Sequence, residues 1–232
     1  MPFPNTINIT QAVGVPGDFA SYNPRHSVPS TQGGWVAGIN GVAVGLFAWA
    51  DPATETVVNN YGQGVPTGLI HRNMQVLLVT YLTEYGVTIP AGMGVGELFS
   101  GGDFFVKNAA DSAVTVGQKA FANFGNGTIA FAATGATITS ATLTGTVSTT
   151  VLTVSAQSVN PILVGDLVIG LSPATYIASF GTGTGGTGTY NLTTSGATGT
   201  ATGTTSWVET KWNALSLGAA GETIIISNTP NG

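Results

Sequence analysis

Trp35-Val36-Ala37-Gly38-Ile39-Asn40-Gly41-Val42-Ala43-Val44-Gly45-Leu46-Phe47-Ala48-Trp49 decides the fold class of this chain. Both halves favour extended backbone through β-branched and aromatic residues, and between them stands Asn40-Gly41, a dipeptide that tolerates the positive φ of a two-residue turn. The spacing predicts a β-hairpin in which Trp35 to Ile39 pairs with Val42 to Trp49. Working outward, short apolar runs separated by Gly, Pro and Asn predict further strands at Thr56 to Asn59, Gly68 to Arg72, Gln75 to Leu82, Val95 to Phe99 and Asp103 to Lys107. A second hairpin is expected where Gln118 to Phe124 faces Thr128 to Ala133 across Gly125-Asn126-Gly127. No segment sustains helical periodicity with caps at both ends, and only Met74 to Tyr85 offers a place for a short helix. The chain reads as all-β.

Two composition shifts divide it. The first thirty residues hold Pro2, Pro4, Pro16, Pro24 and Pro29, which block helix and central strand alike, so residues 1–29 read as an extended N-terminal arm or a disordered terminus. Between Lys119 and Glu209 the only charged side chain is Asp166, in a stretch of Thr, Gly, Ser, Ala and Val. Strand-length patterns inside it, at Thr150 to Ala156, Val164 to Gly170, Thr175 to Phe180 and Gly188 to Thr193, predict a small inserted β module of four to six strands over residues 134–205. The alternative is a flexible low-complexity linker. Ser206 to Leu217 and Glu222 to Ser227 then rejoin the first sheet, so the main domain is expected to be discontinuous, residues 30–133 plus 206–232.

Charged residues make up 6% of the 232, roughly a quarter of the usual share. A surface so poorly defended by charge is suited to association. The net charge of −5 and five scattered basic residues (Arg25, Arg72, Lys107, Lys119, Lys211) exclude a phosphate-binding nucleic-acid role. No run of about eighteen apolar residues exists to span a membrane as a helix, and Met1 to Thr10 has neither the basic nor the apolar region of a secretory signal. With no Cys there is no disulfide, thiolate metal site or thiol catalysis.

The remaining chemistry is thin. Gly181, Gly183 and Gly186 match the spacing of a dinucleotide fingerprint, but no helix follows to receive a pyrophosphate, so the segment reads as a glycine-rich loop. His26 and His71 have no partner at metal-ligand spacing and no nucleophile elbow to serve, which leaves a hydrogen-bonding or interface role. Asp51 and Asp103 abut Pro or Gly and read as turn and strand-end residues. Neither a cofactor, a metal nor catalysis is expected.

Several segments, taken together and in order, resemble the structural cement (decoration) proteins of tailed bacteriophage heads. They are Pro16-Gly17-Asp18-Phe19-Ala20-Ser21 with Asn23-Pro24-Arg25, Phe47-Ala48-Trp49-Ala50-Asp51, and Pro66-Thr67-Gly68-Leu69-Ile70-His71-Arg72. Gly102-Asp103-Phe104-Phe105-Val106-Lys107, Gly117-Gln118-Lys119-Ala120-Phe121 and Glu209-Thr210-Lys211-Trp212 continue the pattern. The resemblance covers about residues 12–133 and 205–227. It implies a jelly-roll-like antiparallel β sandwich or barrel, made in the bacterial host cytoplasm, that sits on the outer surface of the assembled capsid. There it would bridge major capsid protein subunits as a homodimer or homotrimer, without catalysis. Phe19, Arg25, His26, Trp35, His71 and Arg72 are the candidate interface residues. The segment from Thr134 to Thr204 departs from a minimal cement protein, and a carbohydrate or host-surface binding module is the rival reading, for the insertion or for the whole chain.

Overall fold

The computed structural model describes residues 14–30, 33–73, 87–158 and 160–229. The expected strand Gln75 to Leu82, the competing helix at Met74 to Tyr85 and residues 1–13 of the arm lie outside the described residues. Every regular element described is a strand. The first group is β1 (His26–Ser27), β2 (Trp35–Ala37), β3 (Val42–Ala43), β4 (Phe47–Ala50), β5 (Val57–Asn59), β6 (Gly68–Ile70), β7 (Thr88–Ile89), β8 (Gly94–Gly96) and β9 (Leu98–Gly101). The second is β10 (Asp103–Lys107), β11 (Lys119–Asn123) and β12 (Ile129–Ala132), completed by β19 (Trp207–Ala214) and β20 (Thr223–Ser227). Between them come β13 (Ala141–Ser148), β14 (Val151–Ser158), β15 (Leu167–Ser172), β16 (Ile177–Phe180), β17 (Gly188–Leu192) and β18 (Thr198–Thr205).

A seven-stranded sheet, ordered β1-β9-β6-β4-β5-β2-β8, faces a five-stranded sheet ordered β10-β20-β19-β11-β12. Successive side chains on a strand point to opposite faces, and the seven-stranded sheet buries both. Phe47, Trp49, Leu69 and Phe99 join Phe104, Phe131, Trp212 and Ile226 in the core between the two sheets. Their neighbours Ala48, Ile70 and Leu98 point the other way, into a second core closed by Val42, Val44 and Ile89. The third layer is the two-stranded β3-β7 ribbon. The five-stranded sheet curls until the end of β10 meets β12, through the bridge Asn108 to Ile129 and an Ala109 N to Ile129 O bond of 2.8 Å.

The hairpin at Gly125-Asn126-Gly127 forms as expected, β11 pairing antiparallel with β12 from Lys119↔Ala132 to Ala122↔Ile129. The one at Asn40-Gly41 does not. A tight turn is present, with Gly41 at φ +71° and its N–H donating to Gly38 O at 2.9 Å, but the flanking strands part after it. β2 pairs with β5 and β8, while β3 leaves the sheet to pair with β7. The second core needs Val42 and Val44 as its lid, and that burial outweighs the local pairing. β2 and β5 run parallel within this otherwise antiparallel sheet, β5 lying between β2 and its antiparallel partner β4.

Residues 141–205 form a closed barrel. The order β15-β18-β13-β14-β17-β16 is completed by a bridge from Leu167 to Tyr176, with Gly165 N to Ile177 O at 2.8 Å, Ile177 N to Asp166 O at 2.9 Å and Val168 N to Thr175 O at 3.0 Å. Closure removes the free edges that a small sheet would expose. Its interior holds Leu143, Leu152, Val154, Ile162, Val168, Ile177, Tyr190 and Leu192. The glycine-rich loop closes over Tyr190: its hydroxyl accepts from Gly185 N at 3.1 Å and donates to Gly186 O at 2.5 Å, and a Cβ at Gly183 would overlap the ring. Those glycines therefore serve packing. Outside, Thr200, Thr146, Thr153 and Thr189 stand in register across four strands, a row of hydroxyls with no charge among them.

Asp166 is 2% exposed beside the junction with the sandwich. It accepts hydrogen bonds from Ser206 Oγ, from Thr204 Oγ1 at 3.1 Å and from Leu163 N at 3.0 Å. Three donors replace the water that a buried carboxylate loses.

The barrel bends at two facing glycines. Gly170 (φ +93°) and Gly199 (φ +124°) lie where β15 and β18 slip register, and a Cβ on either would come within 2.2 Å of the opposite strand's carbonyl oxygen. Gly170→Ala and Gly199→Ala are each expected to cost about 2–4 kcal/mol, combining backbone strain with a clash. Thr200→Ala beside them, on the exposed face, should stay within about 0.5 kcal/mol. Denaturant titration of the three variants checks this.

Candidate interaction surface

Residues 17–28 cross the corner where the chain passes from β9 to β10, and they bond to both sheets. On the β10 side, Gly17 N donates to Phe105 O at 2.7 Å, Phe105 N to Asp18 O at 3.0 Å and Ala20 N to Asp103 O at 2.9 Å. On the other side β1 pairs with β9, His26 opposite Gly101 and Ser27 opposite Phe99, and Val28 N reaches Leu98 O at 2.7 Å. This part of the arm is thus a strap laid on the body. The strap can cross the turn at Gly45 only because Gly17 and Gly45 meet there with positive φ, each leaving less than 3.0 Å for the other's Cβ.

Phe19 holds the strap down. Its ring stacks on His71 with centroids 4.1 Å apart and 18° between planes, and it meets Phe99 and Phe104 at 5.3 and 5.1 Å. The Arg25 guanidinium lies 3.5 Å over the same ring, so Phe19 is sandwiched between Arg25 and His71. Arg72 forms an ion pair with Asp18 at 3.6 Å, and its N–H donates to Gly17 O at 3.0 Å. A half-exposed ion pair contributes about 0–1 kcal/mol, whereas full burial of a phenylalanine contributes about 1.5–3 kcal/mol; Phe19 is partly buried and adds contacts to three aromatic rings, so it is the main anchor.

Five of the six sequence candidates therefore lie on the strap or under it. Phe19, Arg25 and His26 belong to it; His71 and Arg72 form its bed. Trp35 does not join them: it is buried in the second core, and its Nε1–H donates to Val28 O at 2.9 Å, fastening the strap's far end from inside. Arg25 and Arg72, 47 positions apart in sequence, are brought to one place, so the basic residues are less scattered in space than in sequence.

Asp103 is more than a strand-end residue. It is 3% exposed and accepts from Ser21 Oγ and Asn23 Nδ2, both at 2.6 Å, and from Thr229 Oγ1 at 3.3 Å. The usable signal was the turn chemistry of Ser21-Tyr22-Asn23-Pro24, which requires an acceptor somewhere. Asp51 is a turn residue, its Oδ1 accepting from Ala53 N at 2.9 Å. Among the described residues no three His, Asp or Glu side chains are grouped to hold a metal ion. Among the described residues the two buried carboxylates, Asp103 and Asp166, are each occupied by hydroxyl donors.

A family model described as XM1 gp53 minor capsid protein matches residues 3–228. The chain belongs to that family. No curated protein matches it. Its role is structural, within a phage capsid, and its location is the virion. The strap lies wholly inside the matched span, as does the barrel.

Two groups at the strap are displaced from their ordinary values. Burial holds His71 below the ordinary histidine value, against Glu97 and Asp18 and with help from Arg25. Burial works to raise Asp103, but hydrogen bonds from Ser21, Ser227, Asn23 and Thr229 outweigh it and hold the carboxyl below its ordinary value. Both folded values lie below the unfolded ones, so both contributions are complete above the unfolded value and are lost as pH falls through the folded one. Stability should hold near neutral pH, decline below about pH 6.5 as the unfolded chain gains a proton that folded His71 resists, and fall again below about pH 4 for the same reason at Asp103. His71→Gln should remove the first decline alone and Asp103→Asn should blunt the second, both readable as melting temperature against pH.

Proposed function

We propose that this chain is a cement protein that seats on the outer surface of the assembled head and stabilises contacts between major capsid protein subunits. The observation that carries this reading is a convergence. Pro16 to Ser21, Asn23 to Arg25, Gly68 to Arg72 and Gly102 to Lys107, four pieces of the cement-like pattern, meet at the strap and the β9–β10 corner. The mechanism is mass action: a protein that binds the expanded lattice better than the unexpanded one stabilises it at every site it fills. Arg25, His26 and the outer edge of the strap form the proposed contact, supported by Phe19, His71 and Arg72, with Trp35 as an internal brace. The working unit is a homodimer or homotrimer, and the action is non-catalytic. Phage heads lacking the chain should retain the purified protein on sedimentation once expanded and then rupture at a higher temperature. Failure of expanded heads to retain it would overturn the proposal.

The barrel is proposed as a separate module over residues 134–205, inserted in a jelly-roll-like main domain made of 30–133 plus 206–232 and preceded by the arm, 1–29. Its uncharged rows of threonine favour a second role, contact with neutral polysaccharide at the host surface. A chain with residues 139–205 replaced by a short Gly/Ser linker is expected to bind heads like the full chain and to lose any retention on host-envelope polysaccharide. Loss of head binding in that chain would instead place the capsid contact on the barrel.

A further inference from the structure

The turn of the strap, residues 21–25, is tied down from below and bare above. Ser21 Oγ and Asn23 Nδ2 both donate to the buried Asp103 carboxylate at 2.6 Å, Asn23 N donates to Ser21 Oγ at 3.0 Å, and Arg25 Nη2 donates to Ser21 O at 2.9 Å. Pro24 fixes one more backbone angle. At the centre of this bracing Tyr22 is fully exposed.

The combination points to binding. A scattered exposed apolar residue needs no explanation, and Ile39, Val65 and Leu217 are such aliphatic side chains. Tyr22 differs in that three residues around it spend their polar groups on holding the turn. Ordering a free loop on binding costs conformational entropy, and here that cost is met before any partner arrives. Tyr and Arg are also the residue types that dominate protein interfaces, and this turn presents one of each. Arg25 lies flat on Phe19 and uses Nη2 on Ser21 O, leaving the rest of its guanidinium fork facing outward. The neighbouring carboxylates are committed elsewhere: Asp18 to Arg72, and Asp103 buried under its hydroxyl and amide donors. Within residues 21–25 Arg25 is the only charged side chain, so the charge this turn presents outward is positive, with the Asp103 carboxylate buried beneath it.

We infer that the Tyr22–Arg25 turn is a preformed anchor that inserts into a capsid subunit, Tyr22 entering an apolar recess and Arg25 meeting a carboxylate at its rim. This inference rests on the cement reading and names the part of the surface that makes the contact. Phe19, His71 and Asp103 are positioning residues beneath it.

The test is a binding isotherm of the full-length chain on expanded heads that lack it, at two salt concentrations, with the melting temperature of each variant measured alongside. Tyr22→Ala should weaken binding tenfold or more while leaving the melting temperature unchanged, and Tyr22→Phe should stay within about twofold. Arg25→Gln should weaken binding and flatten its salt dependence. The pair Ser21→Ala with Asn23→Ala, which touches none of the contacting atoms, should weaken it severalfold by freeing the turn. Undiminished binding by Tyr22→Ala overturns this inference and leaves the cement reading standing. Absence of binding by the unaltered chain overturns both.

Discussion

The corner at Gly102-Asp103 is the constraint on which the rest of the sandwich depends. There the chain leaves one sheet for the other, with Gly102 at φ +131°, a backbone conformation that side-chain-bearing residues rarely adopt. Gly102 N is satisfied by Asn228 Oδ1 at 3.0 Å, and Asn228 Nδ2 returns to Ser100 O at 2.6 Å. Asp103 collects donors from the strap and from Thr229. The two ends of the described chain are thus fixed to the same few atoms in its middle. A buried carboxylate served by neutral donors is costly to disturb, because removing any one donor leaves charge unmatched in a dry site.

A chain with so few charges has to make polar order in other ways. Hydroxyl and amide side chains fill that role here: Ser21, Asn23 and Thr229 at Asp103, Ser206 and Thr204 at Asp166, and Asn108, whose Nδ2 serves Ser112 O at 2.8 Å and Ala219 O at 3.1 Å. Such bonds are short-ranged and insensitive to salt, unlike surface ion pairs. They also leave the outer surfaces electrostatically quiet.

Much of this was legible in the sequence, and the failures have physical causes. Asp103 to Lys107 is legible to the residue as a strand, because Phe104 and Val106 bury while Phe105 and Lys107 face outward. Val95 to Phe99 was read as one strand and is two, β8 and β9, parted at Glu97 next to Gly96 with its φ of +76°. β13 and β18 do not stand out in the sequence. Their inward residues include Ala141, Gly145, Ala201 and Gly203, too small to stand out against the outward threonines, so the alternation exists in burial but hardly in hydrophobicity. The Asn40-Gly41 error is of another kind: the turn chemistry was right, but the partners of β2 come from distant sequence. At the strap, the packing of Phe19 and Arg25 is foreshadowed by a pattern of motifs, whereas the exposure of Tyr22 is not, because nothing local marks a residue as bare.

The barrel's entry and exit lie side by side. Ser206 N donates to Ser140 Oγ at 2.9 Å and Ser140 N to Thr204 O at 2.8 Å, so the chain departs and returns through a gate one hydrogen bond wide. β18 then runs into β19 with only Ser206 between them. A sandwich whose visitor occupies so narrow a doorway need not alter its own strand order when the visitor changes. The same opening could host a longer barrel, a different one or none, making it a point where lineages can trade one barrel for another while the sandwich stays as it is.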